Sequence, residues 1–145
     1  MLFRSGRAFD DRICTYIIHE AAKLAMKEGC KNKLYVSTTT GEENTGRGAF
    51  QITNAYKPNI VIAVDVTYAP DYPQCDERGH VELGKGGVIC NGSLPNRKLN
   101  QLLRESAKEL NLPVQEEVFA GFTGTDGDTA IKSGVNPTVV LFSPS

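Results

Sequence analysis

The stretch NIVIAVDVTYA, residues 59–69, constrains the fold more than any other part of the chain. Ile60–Val64 is an unbroken apolar run in which every residue but Ala63 is β-branched. Runs of this kind are typical of strands buried on both faces of a parallel sheet, and the β-branched content argues against helix. Such a strand needs helices on both sides, which points to an α/β architecture. The run closes on a carboxylate, Asp65, and an acid ending a fully apolar strand is uncommon without a partner.

The rest of the chain alternates accordingly. Over residues 11–27, Ile13, Ile17, Ile18, Ala21, Leu24 and Ala25 recur at helical spacing. Asp10 or Asp11 can cap that helix and Gly29 can end it. KLYVSTTT (33–40) reads as a strand, and GRGAFQITNAY (46–56) as a short helix. HVELGKGGVICNG (80–92) is glycine-rich and partly extended. Residues 96–110 carry Leu99, Leu102, Leu103, Ala107 and Leu110 on one side of a helix. PVQEEVFAG (113–121) alternates as a strand, GTDGDTAIKSG (124–134) is a turn and short helix, and PTVVLFSP (137–144) is a last buried strand. The pattern predicts a three-layer α/β sandwich with a mostly parallel sheet. Ile60–Val64 is expected at its centre, covered by the helices over 11–27 and 96–110.

A chain of 145 residues suits one domain, which at this size buries about 70% of the surface its unfolded form exposes. A net charge of -1 gives no electrostatic reason to expect nucleic acid or an anionic membrane as partner. No apolar run approaches the ~18 residues of a membrane-spanning helix, and MLFRSGRAFDD is not a signal peptide. The cytoplasm is the default location. Cys14, Cys30, Cys75 and Cys90 are irregularly spaced with no CxxC and read as reduced thiols. Cys75 and His80 in CDERGH supply only two ligands, short of a zinc site.

The acids are informative because open α/β sheets bind ligands beyond the carboxyl ends of their strands. Glu42 and Glu43 follow the strand expected to end near Thr40, and Asp65 ends the next one. Asp10 and Asp11 stand at a helix start, and Asp126 follows the strand around Val118. These carboxylates are expected to converge on one rim. Two like charges about 4 Å apart repel by roughly 4 kcal/mol at an effective dielectric near 20. A cluster therefore needs protons or cations, and divalent ions take such oxygen ligands. The plainer alternative for each pair is a solvated loop or a cap favoured by the helix dipole.

RAFDDR (7–12), TTGEENTGRGA (39–49), IAVDVTYAPDYP (62–73), LGKGGVI (83–89) and GTDGDTAI (124–131), in this order, resemble the glutamyl aminopeptidase and tetrahedral aminopeptidase family of co-catalytic metallopeptidases. The resemblance covers nearly the whole chain. It implies a zinc-peptidase-like fold, an aminopeptidase acting on peptides, and two divalent metal ions, zinc or cobalt. Residue by residue, Asp10 resembles the carboxylate bridging the two ions, and Asp11 its supporting neighbour. Glu42 resembles the general base that carries a proton from water to the leaving amine. Glu43 and Asp65 resemble terminal ligands, one for each ion. Gly124, Thr125 and Asp126, with the loop LGKGG at 83–87, resemble parts of the substrate pocket.

The resemblance also has gaps. Each ion in the family takes a histidine as well, from segments with no counterpart here, and His19 and His80 match neither position. Tyr68 stands where many members carry a histidine that is not a ligand. Residues 1–145 are therefore expected to be an incomplete catalytic domain, lacking the N-terminal segment and the dimerisation domain. The family's homo-oligomer is then doubtful for this chain, and little activity is expected of it alone. Two other functions fit less of the sequence. One is a catalytically dead fragment acting as an interaction piece. The other is a glycosidase pairing Glu42 or Glu43 with Asp65, which the absence of Trp and the 8% aromatic content do not favour.

Overall fold

The computed structural model describes residues 6–69, 81–135 and 137–144. Among the described residues, four helices and four strands follow one another as α1 (Phe9–Lys27), α2 (Arg47–Tyr56), β1 (Ile60–Val64), β2 (Gly87–Gly92), α3 (Arg97–Glu109), β3 (Val114–Phe119), α4 (Asp126–Lys132) and β4 (Thr138–Ser143). The strands form one sheet in the order β1-β4-β2-β3. β1 pairs parallel with β4 and β2 parallel with β3, while β2 and β4 meet antiparallel. The sheet is thus mostly parallel, with one reversal at its middle.

The layers follow from strand alternation, which sends successive side chains to opposite faces. On one face Ala63, Cys90, Val139 and Leu141 form a buried cluster, and Ile131 of α4 packs against it. Gly127 of α4 lies so close to Val139 and Leu141 that a β-carbon there would press on both. On the other face α3 lies over β2 and β3. There Asn100 donates to the Cys90 carbonyl at 2.7 Å, and Arg104 bonds Asn91 and Glu116. Helix, sheet and helix make the expected three layers, but the helix packed on β1 is α4 rather than the expected α1 and α3.

Local signals account for most helix ends. The Asn96 side chain accepts from the backbone N–H of Lys98 and Leu99 and starts α3. Thr125 does the same for Gly127 and starts α4. Gly29, at φ 79, closes α1, a conformation only glycine adopts freely. The first turn of α1 differs from expectation. Neither Asp10 nor Asp11 caps it: both have non-helical backbone angles, their peptide bond is cis, and Ala8 holds the cap position without a side-chain bond.

Two further expectations are corrected. Residues 33–40 carry no ladder among the described residues, and Leu34, Tyr35 and Val36 are exposed. An alternating sequence becomes a strand only where a neighbour takes its N–H and C=O groups. Second, β1 is an edge strand of the described sheet and not its centre. Ile60 and Ile62, on the face away from α4, are 50% and 60% exposed, so the apolar run is covered on one face only. β4 takes the central place, its Val139 and Leu141 being 1% and 3% exposed. The Cys75 and His80 reading lies outside the described residues.

Candidate functional site

The acids singled out in the sequence lie within electrostatic reach of one another. Asp65 follows the carboxyl end of β1, its backbone N–H bonded to Phe142 of β4 at 3.2 Å. Its own carboxylate accepts the Val66 N–H at 2.8 Å. Glu42 and Glu43 occupy the tight turn after residue 41, where Thr45 and Gly46 donate to the Gly41 carbonyl at 2.8 and 2.7 Å. Asp10 and Asp11 enter from the mouth of α1.

Asp126 arrives by a route that strand direction alone does not predict. Because β2 runs against β4, the carboxyl end of β3 lies at the rim opposite Asp65. Residues 120–125 carry the chain back before α4 begins. Asp128 fixes this return: its carboxylate accepts the N–H of Thr123 and of Gly124, each at 2.9 Å. It is 6% exposed. The sequence reading missed Asp128, although Thr125-x-x-Asp128 has the spacing of a helix-start signal. It also missed Thr39, whose hydroxyl donates to the Asp126 carboxylate and so ties the loop before Glu42 to the start of α4.

The electrostatics are those of unneutralised negative charge. Burial first, then repulsion from Asp65, Asp126, Glu43 and Asp10, raises the Glu42 carboxyl to about 7. Burial likewise raises Asp65 to about 6, with Asp11, Asp10 and Asp126 adding to it against the opposing Val66 hydrogen bond. Asp11 is raised by burial and by Asp10, Asp126 and Glu43, with a hydrogen bond from Cys14 working the other way. Asp126 is raised by burial against the Thr39 hydrogen bond. Among the described residues, the charges acting most strongly on Glu42 and Asp65 are acids. One carboxylate oxygen each of Asp11 and Asp126 is buried without a partner.

Such a donor set suits a cation, since a positive ion would satisfy the orphan oxygens and relieve the mutual repulsion. The acids are nevertheless not drawn into a ready coordination shell. Among the described residues no three His, Cys, Asp or Glu side chains stand close enough to hold one metal ion. His19 lies exposed on α1. Of the predicted pocket residues, Thr125 lines a cavity beside Asp65, whereas Gly124, Asp126 and the loop at 83–87 do not.

The profile of the M42 glutamyl aminopeptidase family matches residues 3–145, and the chain belongs to that family. The lysyl aminopeptidase of Pyrococcus furiosus is 38% identical over 121 residues, a match covering 82% of this chain and 34% of that one. Among solved structures, a TET aminopeptidase from the marine sediment archaeon Thaumarchaeota archaeon SCGC AB-539-E09 superposes with a TM-score of 0.84 at 28% identity. That match covers 96% of this chain and 40% of the other. The Pyrococcus horikoshii TET1 peptidase, which assembles into a tetrahedron or a large octahedral shell, gives 0.74 at 28% identity, again over 96% and 40%. The chain spans 34% to 42% of the length of the curated relatives it matches. No described helix is long and apolar enough to cross a membrane.

Proposed function

We propose that residues 1–145 supply the carboxylate part of the catalytic site of a metal-dependent aminopeptidase, which removes N-terminal residues from peptides. The observation that carries this reading is the rim of acids from α1, the 41–43 turn, the end of β1 and the start of α4. Among the described residues, the charges acting most strongly on Glu42 and Asp65 are those of neighbouring carboxylates. Asp10 would bridge two divalent ions, with Glu43 and Asp65 as terminal ligands and Asp11 in support. Zinc and cobalt are the ions proposed. When bound, such ions make hydroxide available near neutral pH and polarise the scissile carbonyl.

The chain's own residues divide the remaining work. Glu42 is the proposed base. It would accept a proton from the attacking water and return it to the leaving amine, and burial, the first cause of its raised pKa, persists when cations relieve the repulsion. Thr39 and Asp126 hold the base's loop against α4, and Asp128 shapes the loop at 123–125. Activity is proposed for the protein as a whole, in an assembly of like subunits such as those of its structural relatives. The isolated 145 residues, with carboxylates as the described donors, are expected to bind metal weakly and turn over little.

An assay on aminoacyl p-nitroanilides, with and without zinc or cobalt and beside a cellulose oligomer, tests this. Metal-dependent amide hydrolysis lost in Glu42→Gln is expected. Cleavage of the oligosaccharide without amide hydrolysis would overturn the proposal.

A further inference from the structure

The chain leaving β1, an edge strand of the described sheet, does not run on past the rim. Asp65 is still tied to β4, its N–H donating to the Phe142 carbonyl. Two residues later the Thr67 hydroxyl donates to the Glu117 carboxylate at 2.5 Å. Glu117 belongs to β3, at the other edge, with β4 and β2 in between. Neighbouring strands lie about 4.8 Å apart, so the three steps from β1 to β3 span roughly 14 Å. Residues 65–67 therefore turn inward across the sheet. They cross the face covered by α4. Ala63 is in register with Leu141 and Cys90 with Glu117, and Ala63, Cys90 and Leu141 belong to the cluster that Ile131 packs against.

The anchor is rigid and the segment it holds is not. Glu117 is 4% exposed, and its backbone is fixed in the β2–β3 ladder. Residues 65–69 belong to no helix or strand, so side-chain bonds set their path. One of those bonds couples the path to the acid: the Val66 N–H donates to the Asp65 carboxylate at 2.8 Å. A shift of Val66 therefore turns that carboxylate. We propose that Thr67 and Glu117 are positioning residues that fix the orientation of Asp65 toward a metal ion. Neither touches the ion. Glu117 holds the Thr67 hydroxyl, Thr67 holds the backbone at 66, and Val66 holds one Asp65 oxygen so that the other is offered to the ion. This rests on the aminopeptidase reading above, which makes Asp65 a ligand; the tie across the sheet does not depend on it. A hydroxyl bonded to a carboxylate makes a bond about twice as strong as a neutral one, which suits it to this task.

The test is zinc calorimetry of the full-length protein with Thr67→Val and Thr67→Ser. Valine keeps the shape and loses the hydroxyl, whereas serine keeps the hydroxyl. Supporting contacts in metal sites are worth about 10–100-fold in affinity. Thr67→Val should weaken one ion by that factor and leave the other, held by Glu43, nearly unchanged. Thr67→Ser should restore the lost affinity. Circular dichroism checks the fold, and Thr67→Ala replaces the valine variant if that one fails to fold. Hydrogen exchange of the metal-free protein gives a second readout: the amides at 65–68 should exchange at least tenfold faster in Thr67→Val and those of β2 should not. Zinc affinity untouched by the loss of the hydroxyl, both ions weakened alike, or serine failing to rescue overturns the positioning role. If the parent protein binds no zinc, the aminopeptidase reading fails instead. Exchange then decides the pair by itself, and unchanged exchange at 65–68 in Thr67→Val overturns it.

Discussion

The hydroxyl of Thr39 donates to the carboxylate of Asp126 across 87 residues of sequence. This bond joins the loop leading into Glu42 and Glu43 to the first turn of α4. The same seam is packed tightly elsewhere: a β-carbon on Gly46 would collide with Thr129, and one on Gly48 with the backbone of Thr40. The candidate base therefore sits on a turn clamped from two sides.

Thr39→Val removes the donor and leaves a half-buried carboxylate short of a partner. A hydrogen bond to a charged group contributes about 1.5–3 kcal/mol, so a loss in the lower part of that range is expected. Urea unfolding of the metal-free chain measures it. No change in midpoint would show that the bond contributes nothing in solution.

Gly48→Ala places a methyl group against the Thr40 main chain, where Gly48 N–H now bonds the Thr40 carbonyl at 3.1 Å. Since backbone cannot yield as a flexible side chain does, the 39–43 loop must move. Overpacking of this kind costs about 1–3 kcal/mol. Activity of the full-length enzyme should fall more than its stability indicates, because Glu42 moves with the loop. Full activity in a Gly48→Ala protein would rule this out.

The metal-free protein should lose stability as pH rises from about 4 through 7. Glu42 and Asp65 have folded pKa values near 7 and 6, above those of the unfolded chain, and Asp11 and Asp126 shift the same way. A raised carboxyl pKa means the folded state holds its proton longer. Its stabilising contribution is complete below the unfolded value and gone above the folded one. Thermal melts between pH 4.5 and 8 should show the decline, with zinc or cobalt reducing it. Stability rising over this window would contradict the cluster.

Glu42→Gln keeps the size of the side chain and removes the proton carrier. In the metal-loaded full-length enzyme, turnover should drop by about 10²–10⁴-fold, the usual range for one general base. Zinc stoichiometry by calorimetry should stay the same, because Glu43 and Asp65 are the proposed ligands. Loss of metal together with activity would make Glu42 a ligand instead.

Glu43→Gln should do the opposite and act through affinity. Even a supporting contact to a metal site is worth 10–100-fold in binding, and a direct ligand is worth at least that. Cobalt titration of the full-length protein measures it. An unchanged affinity would remove Glu43 from the ligand set.

Local chemistry was legible in the sequence. The stop at Gly29, the helices around 46–56, 96–110 and 124–134, and the strands at 113–121 and 137–144 all appear in the structure near their expected places. Spacing of apolar residues, cap side chains and glycine at positive φ each act within a few residues. So does the rule that put Asp65 just past a strand end. The family was legible as well, because its motifs are short, ordered runs.

Pairing was not legible, because it is decided by residues far apart in the chain. Nothing in Ile60–Val64 says that β4 will lie on one side of it and no described strand on the other. Nothing in residues 33–40 says that their alternation will find no ladder. The reversal between β2 and β4 turns β3 away from Asp65, and only the return loop pinned by Asp128 brings Asp126 back to the acids. Glu117 reads as one of two glutamates in an alternating strand. Only the packing of β3 beside β2 and under residues 123–125 separates it from Glu116, which pairs with Arg104 on the opposite face. Sequence determined which groups could do chemistry here, since side-chain type and local spacing are covalent facts. Tertiary structure decided which of them meet and which are buried, since desolvation and charge repulsion arise only when distant segments pack.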